Sequence, residues 1–246
     1  MKSGPRLTDP GIHSFFAFAV GRGACERVGV NPAVLPFLML AIFAGVIGLV
    51  AVLAARQSKL AAENVRRMAE ALGLEYAGRA PVLGLFYTDA RAFGQLRGRR
   101  VELFPFATGS GKSRTQWCAV SAAVSAGGLT FHLRRQGMGT KVMELFGARE
   151  IQVGDAEFDA AWFIQTSAPD LFAAALLPEL RDKITRLVRE LGGQARGMEF
   201  KLEDGAVRYA EMGAVSSGDI CARCQRAADI ICDLAEVAEA AAGTAR

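Results

Sequence analysis

The chain has 246 residues, of which 51% are hydrophobic and 22% charged, and its formal net charge is +4. This length allows one compact domain with a hydrophobic core, and the scattered basic residues form no extended patch, so we expect no nucleic-acid partner. Five cysteines without even spacing exclude the disulfide framework of a small secreted domain and favour a reducing compartment.

An uncharged apolar stretch of 23 residues occupies positions 33–55, after a tail at residues 1–32. At about 1.5 Å per residue a helix of this length is roughly 34 Å long, which is enough to cross a bilayer. A cleaved signal peptide has a shorter leader and a shorter apolar region. The sequence therefore predicts a retained, single-pass transmembrane helix in contact with the lipid bilayer. Its small residues four apart would let two such helices approach closely; they are Ala41 with Gly45, and Ala44 with Gly48.

The flanks of the span predict its orientation and the next element. Two Lys or Arg residues lie within about 20 residues before it and four within about 20 after it, which favours a cytoplasmic C-terminal domain. Residues 56–76 predict a juxtamembrane amphipathic helix, because apolar residues recur at helical spacing and Gly73 is a suitable stop. An α+β soluble domain is predicted over residues 77–246, beginning with a connector at 77–88.

Alternating residues predict several strands after this connector. Residues 93–96 and 101–106 form a hairpin pattern around a turn at 97–100, whose arginines we expect to be solvated. In the next strand Trp117 faces one way and Cys118, expected to be buried, faces the other. Predicted strands follow at 115–125, 129–133, 151–153 and 162–166, with a short helix at 140–146.

The C-terminal third predicts helices and a second hairpin. A helical pattern covers residues 170–191 and restarts at Pro178. A hairpin at 198–210 turns at Asp204-Gly205, and a last helix follows the cap sequence at 216–219. Because hairpin-length turns join most strands, we predict an α+β fold: one N-terminal transmembrane helix, then a mainly antiparallel sheet with packed helices on one face.

Residues 109–113, GSGKS, resemble the end of a phosphate-binding P-loop, in which Lys112 and Ser113 would contact an anion. The first glycine of that motif falls on Phe106. The residues after Ser113 read as a strand, so no helix N-terminus would present free amides to a phosphate. A flexible loop between two strands is the simpler interpretation of this segment, and nucleotide binding is the alternative.

Cys221 and Cys224 have the spacing of a thiol-redox motif, and a cysteine in the first turn of a helix beside Arg223 would have a lowered pKa. The motif follows a hairpin rather than a βαβ unit, and Cys224 lies on the apolar helix face. A structural role is therefore the competing interpretation. The two histidines and the other cysteines are too distant in sequence to complete a zinc site.

Three carboxylates cluster at Asp155, Glu157 and Asp159, and such oxygen ligands are suited to a bound cation. The calcium-loop pattern is absent. Asp155 after a glycine is typical of a turn or cap, and Phe158 and Trp162 resemble core residues, so a structural turn is the simpler interpretation.

The chain resembles uncharacterised bacterial membrane-anchored proteins that pair an N-terminal transmembrane helix with a β-rich domain of unknown function. The resemblance covers roughly residues 70–240 and is carried by four segments: GRRVELFPF, GSGKSRTQW, EIQVGDAEFDAAWFIQT and LLPELRDKI. It implies a single-pass protein of the bacterial inner (cytoplasmic) membrane. It supplies no catalytic residue.

These observations favour a membrane-tethered module that binds a protein partner or assembles with itself, without a cofactor and without an enzymatic activity. No coherent catalytic set is present in the sequence. The alternatives are a thiol-redox protein that uses Cys221 and Cys224, and a nucleotide-binding protein that uses residues 109–113.

Overall fold

The computed structural model of the chain describes residues 34–78, 81–82, 86–87, 89–125, 128–136, 150–190 and 197–244. The chain divides into two compact units, residues 1–51 and 52–246. The first helix begins in the first unit and continues into the second. The sheet and all the remaining described helices belong to the second unit.

Helix α1 (Leu35–Leu72) contains the predicted span, and it is long and apolar enough to cross a membrane. No residue of its most apolar 18-residue segment is buried within the fold, as expected of a helix surface that contacts lipid. The helix ends at Leu72 rather than at residue 76. The stop predicted at Gly73 is confirmed, since Gly73 adopts a φ of +68°, but the last residues of the predicted segment 56–76 belong instead to strand β1 (Glu75–Ala77).

An antiparallel sheet of eight strands forms the body of the second unit. Besides β1 its strands are β4 (Arg91–Leu96), β5 (Arg99–Thr108), β6 (Thr115–Ala123), β7 (Phe131–Arg135), β8 (Trp162–Thr166), β9 (Glu199–Glu203) and β10 (Ala206–Met212). Their order is β1-β4-β5-β6-β10-β9-β7-β8. Strands β2 (Pro81–Val82) and β3 (Phe86–Tyr87) pair separately.

Two tight hairpins define the register of the sheet. Both central residues of each turn have positive φ, at Arg97-Gly98 and at Asp204-Gly205, as type I′ turns require. The register places Val101 opposite Ala122 and Val207 opposite Leu202. The alternation predicted for β6 is confirmed: Cys118 is fully buried, while Trp117 lies on the opposite face and is partly exposed.

Helices cover the face that Cys118 occupies, here called the inner face. They are α2 (Ala156–Ala161), α3 (Pro169–Ala175), α4 (Pro178–Glu190) and α5 (Gly218–Thr244). Helix α5 packs along β6 and β10, and its buried apolar residues join those of the strands in one core. The α+β prediction is therefore confirmed, including the restart of the helix at Pro178.

Two local predictions differ from the structure, and a third is not tested by it. Residues 151–153 form no strand, although the Ile151 amide donates to the Ile164 carbonyl, because Asp155 begins helix α2 immediately afterwards. The turn at 97–100 is not simply solvated, since Arg97 and Arg99 form ion pairs with α5. The predicted helix at 140–146 lies outside the described residues.

Candidate interaction face

The outer face of the sheet carries a group of large apolar side chains that we call the open-face cluster: Phe93, Phe104, Phe106, Trp117 and Met212. They come from strands β4, β5, β6 and β10, and the register places Phe106 opposite Trp117 and Trp117 opposite Met212. Phe93 and Met212 remain 42% and 43% exposed. The cluster is therefore an apolar surface outside the core.

Three rings of this cluster, those of Phe104, Phe106 and Trp117, pack against one another. The Phe104 and Phe106 centroids are 6.0 Å apart, and the Phe106 and Trp117 rings lie 5.9 Å apart with an angle of 11° between their planes. The Trp117 indole N–H donates to the Thr108 hydroxyl at 2.8 Å, which fixes the orientation of the ring. Rigid aromatic side chains of this kind lose little conformational entropy when a partner covers them.

Two arginines lie over the cluster. The Arg91 guanidinium is 6.0 Å from the Phe104 centroid, and that of Arg208 is 5.6 Å from the Phe106 centroid. Such placements are cation–π contacts. Arginine and aromatic residues are the types most enriched among those that dominate protein–protein binding energy.

Charges of both signs surround the cluster as neighbouring pairs on the same face. Arg91 pairs with Glu102 at 3.2 Å, and Lys201 pairs with Glu203 at 2.5 Å. His132 Nε2 lies 2.8 Å from Glu199 Oε2, and this hydrogen bond holds the pKa of Glu199 below its ordinary value. His132 is thus a structural partner in the sheet. The face as a whole carries mixed charge.

The inner face contains a buried polar cluster that sequence reasoning missed. Arg223 of α5 is 6% exposed and Glu211 of β10 is 1% exposed. The Arg223 Nε donates to both carboxylate oxygens of Glu211, at 2.8 and 2.7 Å, and the Tyr209 hydroxyl donates to Glu211 at 2.8 Å. The available signal was the phase of the strand, because Glu211 shares the inward phase of Val207 and Tyr209.

Cys221 and Cys224 lie in the first turns of α5 and are both buried. The Cys224 sulfur faces Cys118 of β6 at 3.1 Å, while the Cys221 sulfur contacts the Val215 carbonyl at the same distance. Burial raises the pKa of Cys221 to about 12. The hydrogen bond with Cys118 and burial raise the pKa of Cys224 well above its ordinary value. The expected lowering of the thiol pKa is therefore wrong, because desolvation exceeds any effect of the helix terminus.

The loop with Lys112 and Ser113 forms a single 3-10 turn, Gly111–Ser113, that leads directly into strand β6. The Ser113 hydroxyl donates to the Ser110 carbonyl at 2.9 Å, and Lys112 is exposed. No α-helix N-terminus is present at this position. The loop therefore lacks the stack of free amides that a P-loop presents to phosphate.

The three carboxylates at 155–159 each have a local structural partner. Asp155 caps α2 by accepting from the Phe158 amide, and Asp159 accepts from the amides of residues 153–155. Glu157 forms an ion pair with Arg189. Within the described part of the chain, no three or more His, Cys, Asp or Glu side chains are arranged so that they could hold a metal ion together.

No family model, curated protein or solved structure matches this chain. The geometry of the chain's own residues is therefore the basis for a functional inference. The open-face cluster combines apolar side chains that contact one another with partial exposure at the surface.

Proposed function

We propose that this protein is a membrane-tethered module that assembles with a second copy of itself through the open face of its sheet. The observation that carries the proposal is the open-face cluster, in which stacked rings and two arginines lie at the surface of a domain with a complete core of its own. A core residue buries its apolar area within the fold. The side chains of the open-face cluster leave part of their apolar area exposed, and a partner could bury that area.

The charge pattern supports a second copy as the partner. Arg91 and Glu102, like Lys201 and Glu203, place opposite charges side by side on one face. In a two-fold arrangement the same patch meets itself, so a cation of one copy is able to face a carboxylate of the other. A strongly acidic or strongly basic partner would lack this complementarity.

The span supports the same assembly. Confinement of two copies to one bilayer raises their effective concentration, so a modest contact between the domains is sufficient for pairing. A Cβ at Gly45 or at Gly48 would meet no atom within 4 Å, which leaves both positions open to the close approach of a second helix.

The proposed location is the bacterial inner membrane, with the sheet domain in the cytoplasm. The support is the excess of Lys and Arg after the apolar stretch and the four buried cysteines, which carry no disulfide and suit a reducing compartment. An accessibility assay with a cysteine placed at the exposed Leu177 tests this orientation in a Cys25→Ser background, because Cys25 precedes the span and would itself be labelled from outside. Labelling of intact cells by a membrane-impermeant thiol reagent would contradict it.

Site-specific photocrosslinking in native membranes tests the assembly. A photoreactive phenylalanine analogue replaces Met212 in the full chain, and we expect an adduct of two 26.2 kDa chains. The matched control places the analogue at Leu177, which is 57% exposed between helices α3 and α4 on the other side of the sheet. That position should give no adduct.

Two results would contradict the proposal. One is equal adduct formation from positions 212 and 177, which would indicate random encounters in the membrane. The other is an adduct at position 212 with a different protein and none with a second copy. A Phe106→Asp substitution provides a further check, because it should remove the adduct while the circular dichroism spectrum stays unchanged.

A further inference from the structure

Two cysteine side chains meet between helix α5 and strand β6. The sulfurs of Cys118 and Cys224 are 3.1 Å apart, and both residues are fully buried. A disulfide bond is about 2.05 Å long, so the two sulfurs would need to approach by only about 1 Å to form one. The two residues lie 106 positions apart in the sequence, so the contact depends on the packing of α5 against the sheet.

The other two described cysteines have different neighbours. The Cys221 thiol donates to a backbone carbonyl of the loop before α5 at 3.1 Å, and the Cys232 sulfur lies 3.9 Å from a backbone carbonyl of strand β4. Cys221 and Cys224 have the spacing of a thiol-redox motif, but the recorded sulfur contact of Cys224 is with Cys118. The geometry therefore favours a disulfide between helix and strand over one within the helix.

The position of the pair near the start of α5 provides a route for an oxidant. The helix begins at Gly218, so Cys224 lies in its second turn, and helix ends open more readily than helix centres. While the helix is closed, the hydrogen bond with Cys118 and burial hold the pKa of Cys224 well above its ordinary value, so its thiol stays protonated and unreactive. Opening of the first two turns would expose this thiol to solution.

We infer that Cys118 and Cys224 are a reversible redox pair, whose disulfide fastens helix α5 to strand β6 when the surroundings become oxidising. The oxidant is a low-molecular-weight disulfide. The Cys224 thiolate attacks one sulfur of this oxidant and releases the first small thiolate, and the Cys118 thiolate then attacks the Cys224 sulfur and releases the second. The two protein thiols lose two electrons and two protons, and both protons pass to the released small thiols.

The disulfide would stabilise the folded domain. A crosslink that closes a loop of about 100 residues strongly restricts the unfolded chain. In a reducing compartment the pair remains as two thiols, and a change to oxidising conditions then makes the attachment of α5 covalent. The pair thus couples the stability of the sheet domain to the redox state of its surroundings.

Equilibration of the full chain with glutathione buffers in mild detergent tests this inference. The Cys25→Ser variant is used, so that the four buried cysteines are the only thiols. After acid quenching, alkylation and digestion, mass spectrometry identifies the linked peptides. We expect a linkage between Cys118 and Cys224 that accumulates as the proportion of oxidised glutathione rises and is lost on addition of dithiothreitol. The urea midpoint of the oxidised form should be about 1 M higher than that of the reduced form.

Two alanine variants of α5 provide a matched comparison. Cys224→Ala should abolish the linkage to Cys118 and the redox-dependent shift of the urea midpoint. Cys232→Ala is the control, because Cys232 is also fully buried on the same helix, and it should leave both unchanged.

Three outcomes would overturn the inference. The first is the absence of any linkage after equilibration with oxidised glutathione alone. The second is a linkage of Cys221 with Cys224 in place of the expected one. The third is accumulation of glutathione on Cys224, which would show that Cys118 does not complete the exchange. None of these outcomes depends on self-assembly, so the test is independent of the proposed function.

Discussion

The two faces of the sheet place similar residue types in opposite environments. On the inner face Arg223, Glu211 and Tyr209 are buried and satisfy one another. On the outer face Arg91 and Arg208 lie over aromatic rings that remain partly exposed. An arginine paired with a fully buried carboxylate stabilises the fold. An arginine over an accessible ring is available to contact a second molecule. The predictions below test this distinction.

The largest expected effect is on the reaction rate of the buried thiols of the inner face. With a pKa of about 12 rather than 9.0, Cys221 has about a thousandfold less thiolate at pH 8 than an ordinary thiol. We expect the buried cysteines to react with a disulfide reagent at least a thousandfold more slowly in the folded chain than in denaturant. The assay follows thiolate release in a Cys25→Ser variant, because Cys25 in the N-terminal tail is the fifth cysteine and is not among the four buried ones. Rapid reaction of two thiols in the folded protein would instead support the redox alternative at Cys221 and Cys224.

Breaking the buried ion pair should cost the most stability. Arg223→Met leaves the Glu211 carboxylate buried without its charged partner, and we expect a loss of about 3–5 kcal/mol in the free energy of unfolding. Tyr209→Phe removes one hydrogen bond to the same carboxylate and should cost about 1–2 kcal/mol. Urea titration in mild detergent, followed by circular dichroism, measures both.

The matched outer-face variant is Arg208→Met. Its guanidinium lies over Phe106, and we expect the free energy of unfolding to change by less than about 1 kcal/mol. A loss as large as that of Arg223→Met would show that the outer arginine also stabilises the fold, and the distinction between the faces would fail.

Adjacent residues of strand β5 provide a finer comparison. Leu103 is fully buried on the inner face, and Leu103→Ala should cost about 2–5 kcal/mol of stability. Phe104 lies on the outer face, so Phe104→Ala should cost less stability but should weaken the Met212 crosslink between two copies. Equal stability losses with an unchanged crosslink would exclude Phe104 from a docking role.

Features that depend on neighbouring residues could be predicted from the sequence, whereas contacts between residues far apart in the sequence could not. The turn at Asp204-Gly205 and the opposite phases of Trp117 and Cys118 follow from neighbouring residues alone. The open-face cluster does not, because β6 pairs with β10, and so places Trp117 beside Met212 across almost a hundred positions of sequence. The contact between Cys224 and Cys118 is equally long-range. For the same reason Arg97 could not be recognised as a partner of Asp233.

The last prediction concerns the contact between Arg97 and Asp233, which attaches the β4–β5 turn to helix α5. Asp233 accepts from Lys183 at 2.6 Å and from Arg97 at 2.5 Å. Burial acts to raise the pKa of Asp233, but these two hydrogen bonds outweigh it and hold the pKa below the ordinary value of 3.8. A lowered pKa in the folded state means that the contribution to stability is complete above the ordinary pKa. It is lost as the pH falls through the folded value.

We therefore expect Asp233→Asn to lower the free energy of unfolding by about 1 kcal/mol at pH 7, a small loss because both cationic partners are substantially exposed. The difference from the wild type should shrink once the pH falls below about 4. Urea titrations at pH 7, 5 and 3 measure this difference. Asp229→Asn is the control, since the exposed Asp229 side chain forms no recorded ion pair within the described residues. A cost that is the same at all three pH values would mean that Asp233 acts through packing rather than through its charge. The charged attachment of the turn to α5 would then consist of the Arg97–Glu236 and Arg99–Glu239 pairs.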